Sequence, residues 1–379
     1  MAKPRVLVFI DWYAPGYKAG GPVRSLVNLV DHLRAGIDFH IVTRNTDYTE
    51  STPYAGVAPD EWTTLPGGEK VWYASDGGTT RKAWKRILKE TDCEAIYING
   101  LYSWWFNILP LWLSRGMAVR RVVAVRGMLA AGAMRHGALK KLLFLSFARM
   151  MDLYKGVRFQ ATNEEEARDI RLHILKHAEV LVVPNLPRKV GAVVQPITKE
   201  VGRVKLVSIA RIAVEKNTLL AIASLRHVRG QVQFNLYGPV YDEAYWAKCQ
   251  AAISALPPNV EVKHAGTLPP DEVPKVLADH HALFMPSAGE NFGHTMLEAL
   301  SAGRPLLISD RTPWRKLKED HAGWDLPLEH MEAFTEAVER LCTMDQGEYD
   351  RWSLGASVRG ARYLADPGPV EASKELFTP

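Results

Sequence analysis

Short, uninterrupted apolar runs recur along this chain, each followed by a loop and then by a helical pattern. The first is Arg5-Val-Leu-Val-Phe-Ile10. A run without polar alternation suits a strand buried on both faces, as in a parallel sheet covered by helices on each side. Pro22 then opens a segment that sets Val23, Leu26, Val27, Val30 and Leu33 along one helical face. Further strands are expected over 39–43, 95–98 and 121–125, with helices over 80–90 and 138–154. A second series follows, with strands over 204–209, 232–236, 260–263, 282–285 and 305–308 and helices over 218–226, 243–255, 271–277 and 295–302. Such alternation predicts an α/β chain built on doubly wound parallel sheets.

The 379 residues accommodate about two domains. The stretch 188–202 has little periodicity and is expected to link a domain over 1–187 to one over 203–350. With 47% hydrophobic and 23% charged residues, wholesale disorder and a polytopic membrane protein are both excluded. Met1-Ala-Lys-Pro-Arg5 runs into an apolar stretch too short for a signal sequence or a membrane span, so a cytoplasmic chain is expected. Cys93, Cys249 and Cys342 are scattered, without zinc-site or disulfide-framework spacing, which agrees with a reducing compartment.

Ligands of doubly wound sheets sit beyond the carboxyl ends of the strands, so the loops there are the candidates. In Pro15-Gly-Tyr-Lys-Ala-Gly-Gly-Pro22, Gly20 and Gly21 let a ligand approach the backbone, and the following helix offers amides to an anion or a sugar. A flexible turn with Pro22 in the first helical position accounts for the loop equally well. No G-x-G-x-x-G occurs there, which weakens a dinucleotide-oxidoreductase reading. In Ala210-Arg-Ile-Ala-Val-Glu-Lys-Asn217, Arg211 supplies a fork and Lys216 a point charge suited to a diphosphate, unless the loop is simply solvated. The third loop begins Pro286-Ser-Ala-Gly-Glu290-Asn-Phe-Gly293-His-Thr-Met-Leu-Glu298 and closes at Gly303-Arg-Pro305. Glu290 lies in its turn and Glu298 one helical turn inside the helix expected from Thr295, although Thr295-x-x-Glu298 is also a capping-box pattern.

On these motifs the chain resembles glycosyltransferase family 4 of the GT-B fold. Glu290 and Glu298 form its E(x)7E arrangement, set in P-S-x-x-E-x-F-G and followed by E-A-x-x-x-G-x-P. R-x-x-x-E-K-N and the early G-G-P loop extend the likeness over roughly residues 6 to 330. The resemblance implies two Rossmann-like domains facing across a cleft, the N-terminal one for the acceptor and the C-terminal one for the donor. It further implies that 351–379 forms a helix packing back on the N-terminal domain. The implied activity is transfer, with retention, of a sugar from a UDP- or GDP-type donor to an acceptor hydroxyl, in assembly of a cell-surface polysaccharide or glycoconjugate. Arg211 and Lys216 would then bind the diphosphate, Glu298 the ribose hydroxyls and Glu290 the transferred sugar. Asn291, Phe292, Gly293, His294 and Thr295 would assist the phosphates, and Gly20 and Gly21 would line the sugar and acceptor side. No metal or other cofactor is expected, since no D-x-D spacing occurs. Many relatives carry a histidine on an N-domain loop after a strand, where this chain reads Tyr97-Ile-Asn-Gly-Leu-Tyr102. Asn99 stands at that place, and Arg126 and His136 are the other N-domain candidates. A nucleotide-sugar-binding protein without turnover, an epimerase and a sugar phosphorylase fit the motifs less well.

The formal charge of +5 hides an uneven distribution. Ten Lys and Arg stand between Leu101 and Asn163 against one acid, Asp152, a local +9 that leaves −4 for the rest. This segment has no zinc-finger spacing or RNP-type aromatic motif, so nucleic acid is not an expected partner. It contains Trp104-Trp105-Phe106, with Ile108, Leu109, Leu111, Trp112 and Leu113 close behind. Aromatics beside Lys and Arg suit peripheral docking on the anionic inner face of a membrane, where a sugar or lipid-linked acceptor would lie. A core helix with a solvated basic face is the competing reading.

Overall fold

The computed structural model describes residues 3–135, 137–189 and 194–378. It divides into two compact units, one of Met1–Lys189 with Pro367–Pro379, the other of Val190–Asp366.

The first unit is built on eight strands, β1 (Arg5–Phe9), β2 (Asp38–Arg44), β3 (Trp62–Thr64), β4 (Lys70–Ala74), β5 (Ala95–Asn99), β6 (Arg120–Ala124), β7 (Arg158–Ala161) and β8 (Glu179–Val182). Their order is β3-β4-β2-β1-β5-β6-β7-β8, parallel except for β3 against β4. The helices are α1 (Gly21–Leu33), α2 (Arg81–Glu90), α3 (Leu109–Leu113), α4 (Ala131–Arg135), α5 (Ala138–Met150) and α6 (Glu164–His173). The apolar run of β1 is explained by its two faces. Leu7 and Phe9 enter a core with Trp84, Ile96 and Phe106, whereas Val6 and Val8 enter one with Leu26, Phe39 and Tyr97. Thr80 caps α2 by accepting from the Ala83 amide at 3.1 Å, and Asn163 caps α6 by accepting from the Glu166 amide at 2.8 Å.

The second unit carries six parallel strands, β9 (Arg203–Ile209), β10 (Gln231–Tyr237), β11 (Val260–His264), β12 (Ala282–Met285), β13 (Leu306–Ser309) and β14 (Gly323–Leu326), in the order β11-β10-β9-β12-β13-β14. The order reverses between β9 and β12, which makes the loops after these two strands neighbours. Its helices are α7 (Thr218–Ala223), α8 (Glu243–Ser254), α9 (Val273–Ala278), α10 (His294–Ser301), α11 (Met331–Thr343) and α12 (Gln346–Ala365). The last helix, α13 (Gly368–Glu375), belongs to the first unit.

Three segments differ from the sequence expectation. Of the stretch expected as a linker over 188–202, residues 195–202 are a strap tied into the second unit. The Lys199 ammonium donates to the carbonyls of Glu200, Cys342 and Met344 at 2.6, 3.1 and 3.1 Å. A strap anchored by a side chain in this way leaves no periodic signal. The terminal segment expected over 351–379 is divided as well. Residues up to Asp366 stay in the second unit, with α12 against α10, and only 367–379 return to the first. The aromatic segment after β5 forms a π-helical turn, Trp104–Ile108, leading into α3, with Phe106, Leu109 and Leu111 in the core and Trp104 and Trp112 exposed. All three cysteines are buried and unpaired.

Candidate functional site

In the second unit the loop from Ala210 leaves β9 through a single 3-10 turn, Val214–Lys216, and ends at Asn217 with φ of 52°. Gly238, at φ 145°, makes room for this loop, since a Cβ there would lie 2.0 Å from the Ala210 carbonyl oxygen. Two hydrogen bonds join the loop to the one after β12. The Asn217 side chain donates from Nδ2 to the Pro286 carbonyl at 2.9 Å, and the Ala288 backbone amide donates to the Glu215 carbonyl at 2.8 Å.

Lys216 and Glu290 therefore meet, with Nζ 2.5 Å from Oε1 and side chains only 19% and 13% exposed. The buried Ser287 hydroxyl donates to the same carboxylate oxygen at 2.9 Å, and the Glu290 amide donates to the Arg311 carbonyl at 3.2 Å. Arg211 is not part of this cluster, because its guanidinium donates to Glu215 at 3.0 Å on its own loop.

The loop continues through the half-buried Asn291 and the buried Phe292 to Gly293, whose φ of 77° precedes α10. Phe292 is held from two sides. The Trp314 indole donates to its carbonyl at 2.7 Å, and its ring packs against His294, Trp314 and Tyr363. The capping box open to Thr295 and Glu298 is not formed: α10 begins at His294, so Thr295 is its second residue, and Gly293 occupies the capping position without a side-chain bond. Glu298 lies half-buried one turn into α10, and Thr295 is buried.

The first unit has a polar cluster of its own. Gly20 caps α1 at φ 77°, and a Cβ on Gly20 or Gly21 would meet nothing within 4 Å, so both lie beside open space. Asp47 fixes the preceding loop by accepting from the Tyr17 amide at 3.0 Å. At the end of β6, Arg126 adopts φ of 56° and spreads its guanidinium over three neutral oxygens. It donates to Asn99 Oδ1 at 2.8 Å, Tyr97 Oη at 2.8 Å and Asn185 Oδ1 at 2.7 Å. Asn99 is buried, and its Nδ2 has no hydrogen-bond partner among the described residues. Burial pushes the Tyr97 phenol up, with Arg126 pulling the other way. His136 lies outside the described residues.

Sequence reasoning did not single out Asn217, Ser287, Trp314, Tyr97 or Asn185. It also missed Asp11, which closes β1, accepts from Ser103 Oγ at 2.8 Å and pairs with Arg44 at 3.0 Å. Burial raises the Asp11 carboxyl above its usual range against the pull of both partners. Asn217 and Ser287 carried a signal, as fixed residues of R-x-x-x-E-K-N and P-S-x-x-E-x-F-G. Among the described residues no three His, Cys, Asp or Glu side chains gather where a metal ion could be held.

Residues 193–356 match the family model described as Glycosyl transferases group 1. No curated protein matches the chain significantly. Among solved structures, sucrose-phosphate synthase from Thermosynechococcus elongatus superposes with a TM-score of 0.72 at 14% identity, covering 99% of this chain and 98% of that one. Anabaena HepE in complex with UDP and glucose gives 0.70 at 12% identity, covering 98% of each chain. WaaG, a glycosyltransferase involved in lipopolysaccharide biosynthesis, gives 0.67 at 14% identity, covering 98% of this chain and 99% of that one. The fold is the GT-B fold of these glycosyltransferases.

Proposed function

We propose that this chain is a retaining family 4 glycosyltransferase that moves a sugar from a UDP- or GDP-type donor to an acceptor hydroxyl without a metal ion. The carrying observation is the Lys216–Glu290 pair, 2.5 Å apart at the carboxyl ends of β9 and β12 and inside the segment that matches the family model. UDP bound to HepE, on the same fold, supports a nucleotide-sugar donor.

The difficult element of such a transfer is the departing nucleoside diphosphate, whose negative charge grows in the transition state. Lys216 answers it with an ammonium already withdrawn from solvent and aimed by Glu290, so little reorganisation is needed as the charge develops. Arg211 would bind the diphosphate by exchanging Glu215 for phosphate oxygens, and the amides from Asn291 to Thr295 would add the partial positive charge of the α10 N-terminus. Glu298 would hold the ribose hydroxyls. Glu290 would orient hydroxyls of the transferred sugar, since a carboxylate engaged by Lys216 and Ser287 is a poor nucleophile. On the first unit, Gly20 and Gly21 leave room for sugar and acceptor, and Asn99 and Arg126 would contact the donor sugar or acceptor. The acceptor is a sugar or a lipid-linked sugar of cell-surface polysaccharide assembly, and the protein works in the cytoplasm on the inner face of the membrane through residues 101–163.

Mass spectrometry of products from a panel of nucleotide sugars, with and without a polyprenyl-linked sugar acceptor, tests this reading. Acceptor-dependent release of nucleoside diphosphate and an NMR-assigned product anomer matching the donor are expected. Turnover needing no acceptor, or needing free phosphate, would replace the proposal with an epimerase or a phosphorylase.

A further inference from the structure

Helix α5 (Ala138–Met150) is apolar on two opposite sides. At about 100° per residue, Phe144, Leu145 and Ala148 form one stripe, and Leu139, Leu142, Leu143, Phe147 and Met150 form another half a turn away. The first stripe meets the core, where Leu145 and Ala148 are buried among residues that include Phe106 and Leu153. The second faces outward, and its five side chains are 50% to 73% exposed. Scattered single exposed apolar residues are ordinary on a protein surface, but five in one stripe are not. Lys140 and Arg149 stand at the two edges of this stripe, both exposed. Arg149 is held there by donating to the carbonyls of His173 and Ile174 at 3.0 and 3.2 Å.

We infer that the outer stripe of α5 is a membrane-insertion face, which lies flat in the headgroup region of an anionic bilayer. It rests on the proposed membrane-side reading of residues 101–163 and moves the contact from the Trp104–Leu113 segment, where Phe106, Leu109 and Leu111 are buried and Trp104 and Trp112 exposed, to α5. Charge selects the occupant. The segment from Leu101 to Asn163 carries ten bases and one acid. A symmetric dimer through the stripe would bring two such segments together, whereas an anionic bilayer accepts the leucines and Phe147 into its acyl boundary and the bases among its phosphates. A nucleic acid would answer the bases and leave five apolar side chains in water.

Co-sedimentation of the full chain with vesicles of phosphatidylcholine alone, or mixed with phosphatidylglycerol, tests the inference at low and high salt. Binding is expected only to the mixed vesicles and only at low salt. Leu143→Gln with Phe147→Gln, both exposed and so not needed for folding, should lower that binding by at least about tenfold. Lys140→Glu should also weaken the low-salt binding to the mixed vesicles. Unchanged binding of the double glutamine variant would overturn the inference, as would a wild-type chain that ignores both vesicle types. So would a concentration-dependent dimer in sedimentation velocity that the same variant abolishes. Turnover of a soluble acceptor should be unaffected in these variants, which separates a failed membrane face from a failed transfer reaction.

Discussion

Lys216 is the side chain on which the chemical reading turns. Its ammonium and the Glu290 carboxylate neutralise one another while largely out of water, a geometry that sets the charge in place before a donor arrives. Lys216→Ala should lower kcat/KM by about 10²-fold or more, with native circular dichroism. Truncation also strands Glu290 as a partly buried, unpaired carboxylate, and such stranding is itself costly. Lys216→Ala with Glu290→Gln removes the stranded charge, so recovery of turnover in the double variant would assign the loss to stranding rather than to the missing cation. Both residues were legible in the sequence as chemistry, because a cation before a helix and a carboxylate in a glycine turn follow buried strands. Their pairing was not. They are separated by 74 positions, and their meeting depends on the strand order, which no local pattern encodes. Arg126 shows the same limit, since its hydrogen-bond partners come from β5 and from the segment after β8.

At the scale of elements, strands buried on both faces announced themselves and others did not. β1 and β12 stand within two residues of expectation, because their short apolar runs are uninterrupted; β9 does too, although Lys205 and Ser208 interrupt its run. The short β3 and β14 carry too few apolar residues to be distinguished from loop, whereas the edge strand β8 was passed over although Val180, Leu181 and Val182 form a short apolar run. The start of β12 supports a pH prediction. His281, just before it, accepts from the Lys205 amide through Nδ1 at 2.8 Å and donates from Nε2 to the Thr198 carbonyl at 3.0 Å. A proton on Nδ1 would face that amide hydrogen, and burial, aided by Lys199, Lys205 and Arg304, pushes the imidazole down to about 4. The unfolded chain takes up this proton near pH 6.5, so stability is full above that pH and falls towards pH 4, by roughly 3 kcal/mol in all. Urea unfolding at pH 7 and pH 5 should separate by roughly 2 kcal/mol through this group, and His281→Gln should narrow the gap. An equal gap in the variant would place the acid sensitivity elsewhere.

At the scale of the whole molecule, the chain leaves its first unit near Lys189 and returns at Pro367. The return contributes to the core. Leu376 and Phe377 are buried, Phe377 packs against Phe39 and Tyr97, and the Glu375 carbonyl accepts from Arg158 at 3.0 Å. Deletion of 367–379 should therefore destabilise the N-terminal unit by about 3–5 kcal/mol, judged from the cost of removing one buried aromatic side chain. Limited proteolysis that still cuts first in residues 190–366 of the truncated chain would contradict this. Two doubly wound units were legible as two series of runs, and the resemblance implied a late return to the N-terminal unit, but its position at Pro367 rather than 351 was not legible, because nothing local assigns α12 and α13 to different cores. The central claim is that the second unit activates a nucleotide-diphosphate sugar at Lys216 and Glu290. Its most direct test is nucleoside-diphosphate release from a nucleotide-sugar panel, measured with acceptor for the wild-type chain and for Lys216→Ala side by side. The wild type should release nucleoside diphosphate from at least one donor, and the variant about 10²-fold less or lower still; equal release by the two proteins, or none from any donor, would refute activation at this pair.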